Sequence, residues 1–128
     1  MDTSFVKLNP AMDVYHAIET LLNNRITGAA VVDDDDNLVG ILSERDCLKT
    51  LLHGAYNNMP LAQVGDYMTT EVETIPPTWD VVAAADFFHQ HVYRRLLVLE
   101  DGKLVGQITR RDLLRAIQKI MKKQRAGA

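Results

Sequence analysis

Two aspartates carry the most suggestive chemistry in this chain. Asp46 follows Ser43 by three residues, and Asp112 follows Thr109 by three. An ionised carboxylate has several lone pairs and can accept from two vicinal hydroxyls at once. A hydroxyl residue three places earlier, at a helix start, caps the helix and turns backbone N–H groups toward an anion. Arginines in the first turn add charge-assisted donors suited to phosphate. Arg45 stands there beside Glu44 in one copy, and Arg110 and Arg111 stand there in the other. The second copy is therefore the better matched to phosphate. Each pattern is also a capping box, a purely structural device. The two uses are compatible, because a well-formed helix start is what presents the N–H groups.

Other candidate constellations are weaker. Asp33-x-Asp35-x-Asn37 with Glu44 at the twelfth place partly copies a calcium loop, but Leu38 stands where that loop needs glycine. The run reads as a solvated hairpin turn. His89 and His91 are two apart on an expected helix, roughly 200° around its axis, and cannot converge on one metal. Neither His16 nor His53 has a ligand cluster beside it. Cys47 reads as an apolar packing residue, and Trp79 as packing at a helix start. No nucleophile–base pair and no phosphate-cradling glycine loop is visible, so an enzyme is not expected.

The elements that must position the two aspartates occur twice. Pro10-Ala11-Met12-Asp13-Val14 recurs as Pro77-Thr78-Trp79-Asp80-Val81, 67 residues later. Val14, Ala17, Ile18, Leu21 and Leu22 make one apolar helical face, and Val81, Ala84, Ala85, Phe88 and Val92 make its counterpart. A short branched run follows each helix, Ala29–Val32 and Leu96–Leu99, with the length and composition of a buried strand. Polar turns at Asp33–Asn37 and Glu100–Lys103 lead to returning strands at Leu38–Leu42 and Leu104–Ile108. The second turn is one residue shorter, so the offset falls to 66. Short strands near Val6–Leu8 and Glu73–Ile75 should end at the prolines. Each half then reads strand, helix, strand, strand, helix. His53–Leu61, with Gly54, Asn57, Asn58 and Pro60, reads as a connector. The division expected is 1–55 for the first repeat, 56–66 for the connector, and 67–128 for the second repeat with a basic C-terminal helix. A half of about 60 residues makes a marginal core, which two halves packed face to face would repair.

This pattern resembles a pair of cystathionine-β-synthase-type (CBS) domains, from about Val6 to Lys119. The resemblance rests on Gly40-Ile41-Leu42-Ser43-Glu44-Arg45-Asp46 and Gly106-Gln107-Ile108-Thr109-Arg110-Arg111-Asp112, and on the lead-in Val64-Gly65-Asp66-Tyr67-Met68. It implies an α/β fold of tandem βαββα repeats with pseudo-two-fold symmetry, two small sheets packed together and clefts between the repeats. It also implies a regulatory ligand rather than a catalytic cofactor. That ligand is an adenosine compound such as AMP, ADP or ATP, whose occupancy is passed to a regulated protein partner. By position, Asp46 with Ser43 and Asp112 with Thr109 would hold the ribose and its phosphate side. Thr27-Gly28-Ala29 and Arg94-Arg95-Leu96 would line the base or phosphate. The first of these segments leaves more room for a base.

Composition agrees with a sensor of this kind and opens two other readings. With 47% hydrophobic and 24% charged residues the chain is an ordinary globular one. No apolar run approaches the ~20 residues of a membrane span, and residues 1–10 lack the regions of a signal peptide. The single cysteine points to a reducing compartment, hence the cytoplasm. Residues 1–64 carry −5 and residues 65–128 carry +2, too little positive excess for a broad nucleic-acid surface. Family resemblance also implies a homodimer. An alternative from another class is a structural oligomerisation or partner-docking module with empty clefts. A third is a nucleic-acid contact through the basic stretch Lys119 to Arg125, although such a run is more often the solvated end of a helix, its charges matching the helix dipole.

Overall fold

Proline and asparagine end the first strand almost as soon as it begins. β1 is only Lys7–Leu8, and after it the Asn9 carbonyl accepts from Met12 N–H while the Asn9 side chain accepts from Ala11 N–H. The computed structural model describes residues 5–57, 62–90 and 95–127, with side chains of 53–57 outside that description. Arg94 and His91, both singled out above, lie outside the described residues.

The chain divides into two compact units, Val6–Val72 with Gly102–Leu104, and Glu73–Asp101 with Val105–Ala128 and the first five residues. In the first unit β1 is followed by α1 (Val14–Asn23), β2 (Gly28–Val32), β3 (Leu38–Ser43), α2 (Glu44–Asn57) and a short α3 (Val64–Tyr67). The strands form one sheet in the order β1-β2-β3, with β1 parallel and β3 antiparallel to β2. β2 is buried at all five positions, which accounts for its unbroken run of small and branched residues. Val14, Ala17 and Leu21 lay the inner face of α1 against Leu8, Ala29, Val31 and Leu42, and Val64 and Tyr67 of α3 join the same core. Ile18, placed on that face by periodicity, is half-buried, and Leu22 is exposed.

The second unit holds β4 (Thr74–Ile75), α4 (Val81–Gln90), β5 (Arg95–Glu100), all but the first two residues of β6 (Lys103–Thr109), and α5 (Arg110–Ala126). Its sheet runs β4-β5-β6 with β4 parallel to β5. Ala84 and Phe88 of α4 pack with Leu96, Val98, Ile108 and Leu113, and Trp79 and Cys47 each pack at the margin of their own unit's core. The turn between β5 and β6 has positive φ at both Asp101 (53°) and Gly102 (80°), the twist-matched form of a two-residue hairpin. The corresponding turn in the first unit is longer and is accompanied by a register shift between Val31 and Val32.

The strand-helix-strand-strand-helix order thus occurs twice, as the repeat in sequence predicts. Two details differ. α2 continues through Gly54 to Asn57, where the composition suggested a connector; one glycine costs a helix only about 1 kcal/mol and does not end it. Farther along, Val64–Tyr67 is a helical turn rather than bare linker, started by reciprocal hydrogen bonds between Gln63 and Asp66.

Candidate functional site

Both aspartates sit where a strand runs straight into a helix. In the second unit Thr109 has extended backbone and caps α5. Its Oγ1 accepts from Asp112 N–H at 3.3 Å, while Asp112 Oδ2 accepts from Thr109 N–H at 2.9 Å and from Thr109 Oγ1 at 3.2 Å. Ser43 and Asp46 repeat these bonds at the start of α2, in the same order at 3.2 Å, 3.0 Å and 3.0 Å. The structural use of the two boxes is therefore realised in both repeats.

Beyond the boxes the two sites part. Asp46 is 3% exposed. Its oxygens also accept from the Thr69 hydroxyl, 3.1 Å from Oδ1 and 3.2 Å from Oδ2, and Oδ1 lies 3.4 Å from Lys49 Nζ. Asp112 keeps 20% of its side chain exposed, and among the described residues its Oδ1 has only Arg115 Nη1 as a charged partner, at 3.7 Å. A carboxylate with about four lone-pair sites is thus fully engaged in one repeat and half engaged in the other.

The remaining candidates fall around these starts. Thr27 and Gly28 are brought to the Ser43–Asp46 pair: Gly28 is the cross-strand partner of Ser43, and the Thr27 carbonyl accepts Glu44 N–H at 2.9 Å. Gly28 and Ala29 are both buried, and a Cβ at Gly28 would stand 3.1 Å from the Leu42 carbonyl oxygen. Arg45 is exposed in the first turn of α2. In the second unit Arg110 and Arg111 are exposed in the first turn of α5. Arg95, half-buried, opens β5, which the two-residue turn lays beside β6 and so near the Thr109 end.

Two contributors escaped the sequence, Thr69 and Lys49. Lys49 lies one turn beyond Asp46 and was accessible to helical spacing. Thr69 is 23 residues from Asp46, and it arrives through an antiparallel bridge with Ile41: Ile41 N–H donates to the Thr69 carbonyl at 2.9 Å and Thr69 N–H returns to Ile41 at 2.8 Å. Only its place directly after the Val64–Met68 lead-in hinted at a role.

Among the described residues no group of three or more His, Cys, Asp and Glu side chains could hold a metal ion, and no helix is long and apolar enough to cross a membrane. In the acidic turn, the Asp33 carboxylate instead accepts from Asp35 N–H, Asn37 N–H and the Asn37 amide. The backbone hydrogen bond from Asn37 is the main cause holding its pKa below the ordinary aspartate value. Burial, with the charges of Asp46 and Glu44 adding to it, pushes the Cys47 thiol up.

A family profile described as CBS domain matches residues 1–53 and again 64–119. The protein CBSX1 of Arabidopsis thaliana, described as CBS domain-containing and chloroplastic, is 32% identical over 88% of this chain and 59% of its own length. The uncharacterised protein MJ1225 of Methanocaldococcus jannaschii is 31% identical over 91% of this chain and 41% of its own. The chain therefore spans well under two thirds of either relative. The crystal structure of CBSX2 in complex with AMP superposes with a TM-score of 0.79 at 31% identity, covering 92% of this chain and 90% of that one.

Proposed function

Because the chain belongs to the CBS-domain family as a tandem pair, we propose that it is a regulatory module that binds an adenine nucleotide and signals occupancy to a partner protein. Catalysis has no part in this reading. The observation that carries it is the Thr109–Asp112 helix start, where one carboxylate oxygen closes the capping box and the other, among the described residues, meets only Arg115. Asp112 Oδ1 would accept from ribose hydroxyls, and Thr109 would stand beside the sugar-phosphate. Arg110 and Arg111, with Arg95 from the neighbouring strand start and Arg94 before it in the sequence, would supply donors to phosphate. The equivalent set in the first repeat is Ser43, Arg45 and Asp46 with Thr27-Gly28-Ala29. A structural neighbour, CBSX2, has been crystallised with AMP, which makes AMP the first ligand to try. The single, partly buried Cys47 suits a reducing, cytoplasmic setting.

Calorimetry and thermal melting across AMP, ADP and ATP test the reading. At ligand well above the dissociation constant, binding should stabilise the fold by about 2–4 kcal/mol. Asp112→Ala should abolish that shift while costing the free protein only about 1 kcal/mol, the worth of a helix cap. No heat and no melting shift with any of the three would sink the nucleotide reading.

A second reading is favoured by the outer faces of two helices. Leu48, Leu51 and Leu52 are exposed on α2, and Leu114, Ile117 and Met121 on α5. Leu48 and Leu114, and Leu51 and Ile117, are repeat equivalents at the offset of 66. Apolar stripes at i, i+3 and i+4 or i+7 are interaction surfaces when nothing in the chain covers them. We propose that these faces pair two copies as a homodimer. If nucleotides leave the fold unaffected, oligomerisation or partner docking through the same faces becomes the module's whole role.

A further inference from the structure

The two aspartates have the same sequence context but unequal freedom, and the inequality traces to one residue. Asp46 accepts from four donor groups: Ser43 N–H, Ser43 Oγ, Thr69 Oγ1 and Lys49 Nζ. The Thr69 hydroxyl bridges both carboxylate oxygens, as one hydroxyl of a bound ribose would. Thr69 itself is exposed, while Asp46 beneath it is not. Two features hold Thr69 there. Its backbone is bridged to Ile41 in both directions, and Gly40 lets the strand approach so closely that a Cβ at that glycine would stand 2.8 Å from the Thr69 carbonyl oxygen and 2.9 Å from Met68 Sδ. The helix start is closed at its backbone too, since Glu44 N–H is spent on the Thr27 carbonyl. In the repeat register Met68-Thr69-Thr70 corresponds to Met1-Asp2-Thr3. The counterpart of Thr69 is therefore an aspartate, which has no proton to donate when ionised.

We propose that Thr69 is a built-in occupant of the first nucleotide site: its hydroxyl takes the acceptor positions that a ribose diol needs on Asp46, so the chain binds one nucleotide, at Asp112, rather than two. This rests on the adenine-nucleotide reading, and it adds the residue that sets stoichiometry and site choice.

The test is AMP calorimetry on the full chain as wild type, Thr69→Ala and Thr69→Ser, with a melting cycle run in parallel without ligand. Wild type should bind one AMP per chain. Thr69→Ala should bind two, the added event vanishing when Asp46→Asn is introduced into that variant, and Thr69→Ser, which keeps the hydroxyl, should stay at one. Two sites in wild type, or one in Thr69→Ala, would overturn the proposal. Without ligand, the melting shift of Thr69→Ala combined with Asp46→Ala should be smaller than the sum of the two single shifts, because each removes the Thr69–Asp46 contact; additive shifts would overturn the latch. If wild type binds no AMP at all, the nucleotide reading fails, while the melting cycle still decides whether the Thr69–Asp46 latch exists.

Discussion

At the scale of single residues, what matters is how completely each polar group is already satisfied. Asp33 is an example outside the candidate site. Its carboxylate accepts three hydrogen bonds within its own turn, and its folded-state pKa lies below the ordinary value. A depressed carboxylate pKa contributes stability above the unfolded value, about 3.9, and loses it as pH falls through the folded one. The hairpin should therefore loosen on acidification below about pH 4, and Asp33→Ala should remove that portion of the acid dependence in pH-resolved melting curves. Cys47 behaves in the opposite sense. With its thiol pKa raised by burial and by Asp46 and Glu44, little thiolate is present near neutrality. Alkylation by a thiol reagent at neutral pH should be much slower in the folded protein than in denaturant; equal rates would contradict the placement.

At the scale of elements, strand-to-helix junctions are where structure and proposed function coincide. Each junction carries a capping hydroxyl, a carboxylate three residues on, and a glycine-bearing strand leading in. Gly40 is required by packing rather than by backbone conformation, since Met68 and Thr69 cross directly over it. Gly40→Ala should push that segment off β3 and weaken the Ile41–Thr69 bridge. Faster amide exchange at Ile41 and Thr69 than in wild type is the expected signature. The core beneath is a separate matter. Leu42, fully buried next to Ser43, should cost about 2–5 kcal/mol on truncation to alanine, read as a lowered denaturant midpoint.

For the molecule as a whole, the repeat leaves similar apolar stripes outside two long helices. Leu51 is 71% exposed and Leu114 is 65% exposed, an arrangement that costs solubility unless a surface covers them. A dimer burying them would be of the ordinary size for specific association, about 1,600 Å² in total. Light scattering should give twice the chain mass for wild type. Leu51→Glu combined with Leu114→Glu should give a monomer that keeps its helical circular dichroism; an unchanged mass would show that these faces are not the interface. Basic residues at the end of α5, including Lys123 and Arg125 in its last turn, complement the helix dipole there.

Much of the architecture was legible because it is local and written twice. Hydrophobic period, the prolines after β1 and β4, the turn residues and the Ser43/Asp46 and Thr109/Asp112 caps all act over a few residues, so the order of elements follows from the chain alone. Gly54 misled because a single glycine weakens a helix without ending it, and the Val64–Tyr67 turn was missed because four residues are too few for a period to show. The unequal state of the two aspartates was not legible at all. By sequence, Asp46 and Asp112 differ only in their neighbours, whereas Asp46 meets Thr69 through a bridge 23 residues away in the chain. Whether a carboxylate has lone pairs left for a ligand depends on every donor that folding brings to it, and distant donors are placed by tertiary structure. The chain by itself therefore determined the repeated elements and their capped starts; folding alone decided which start is closed.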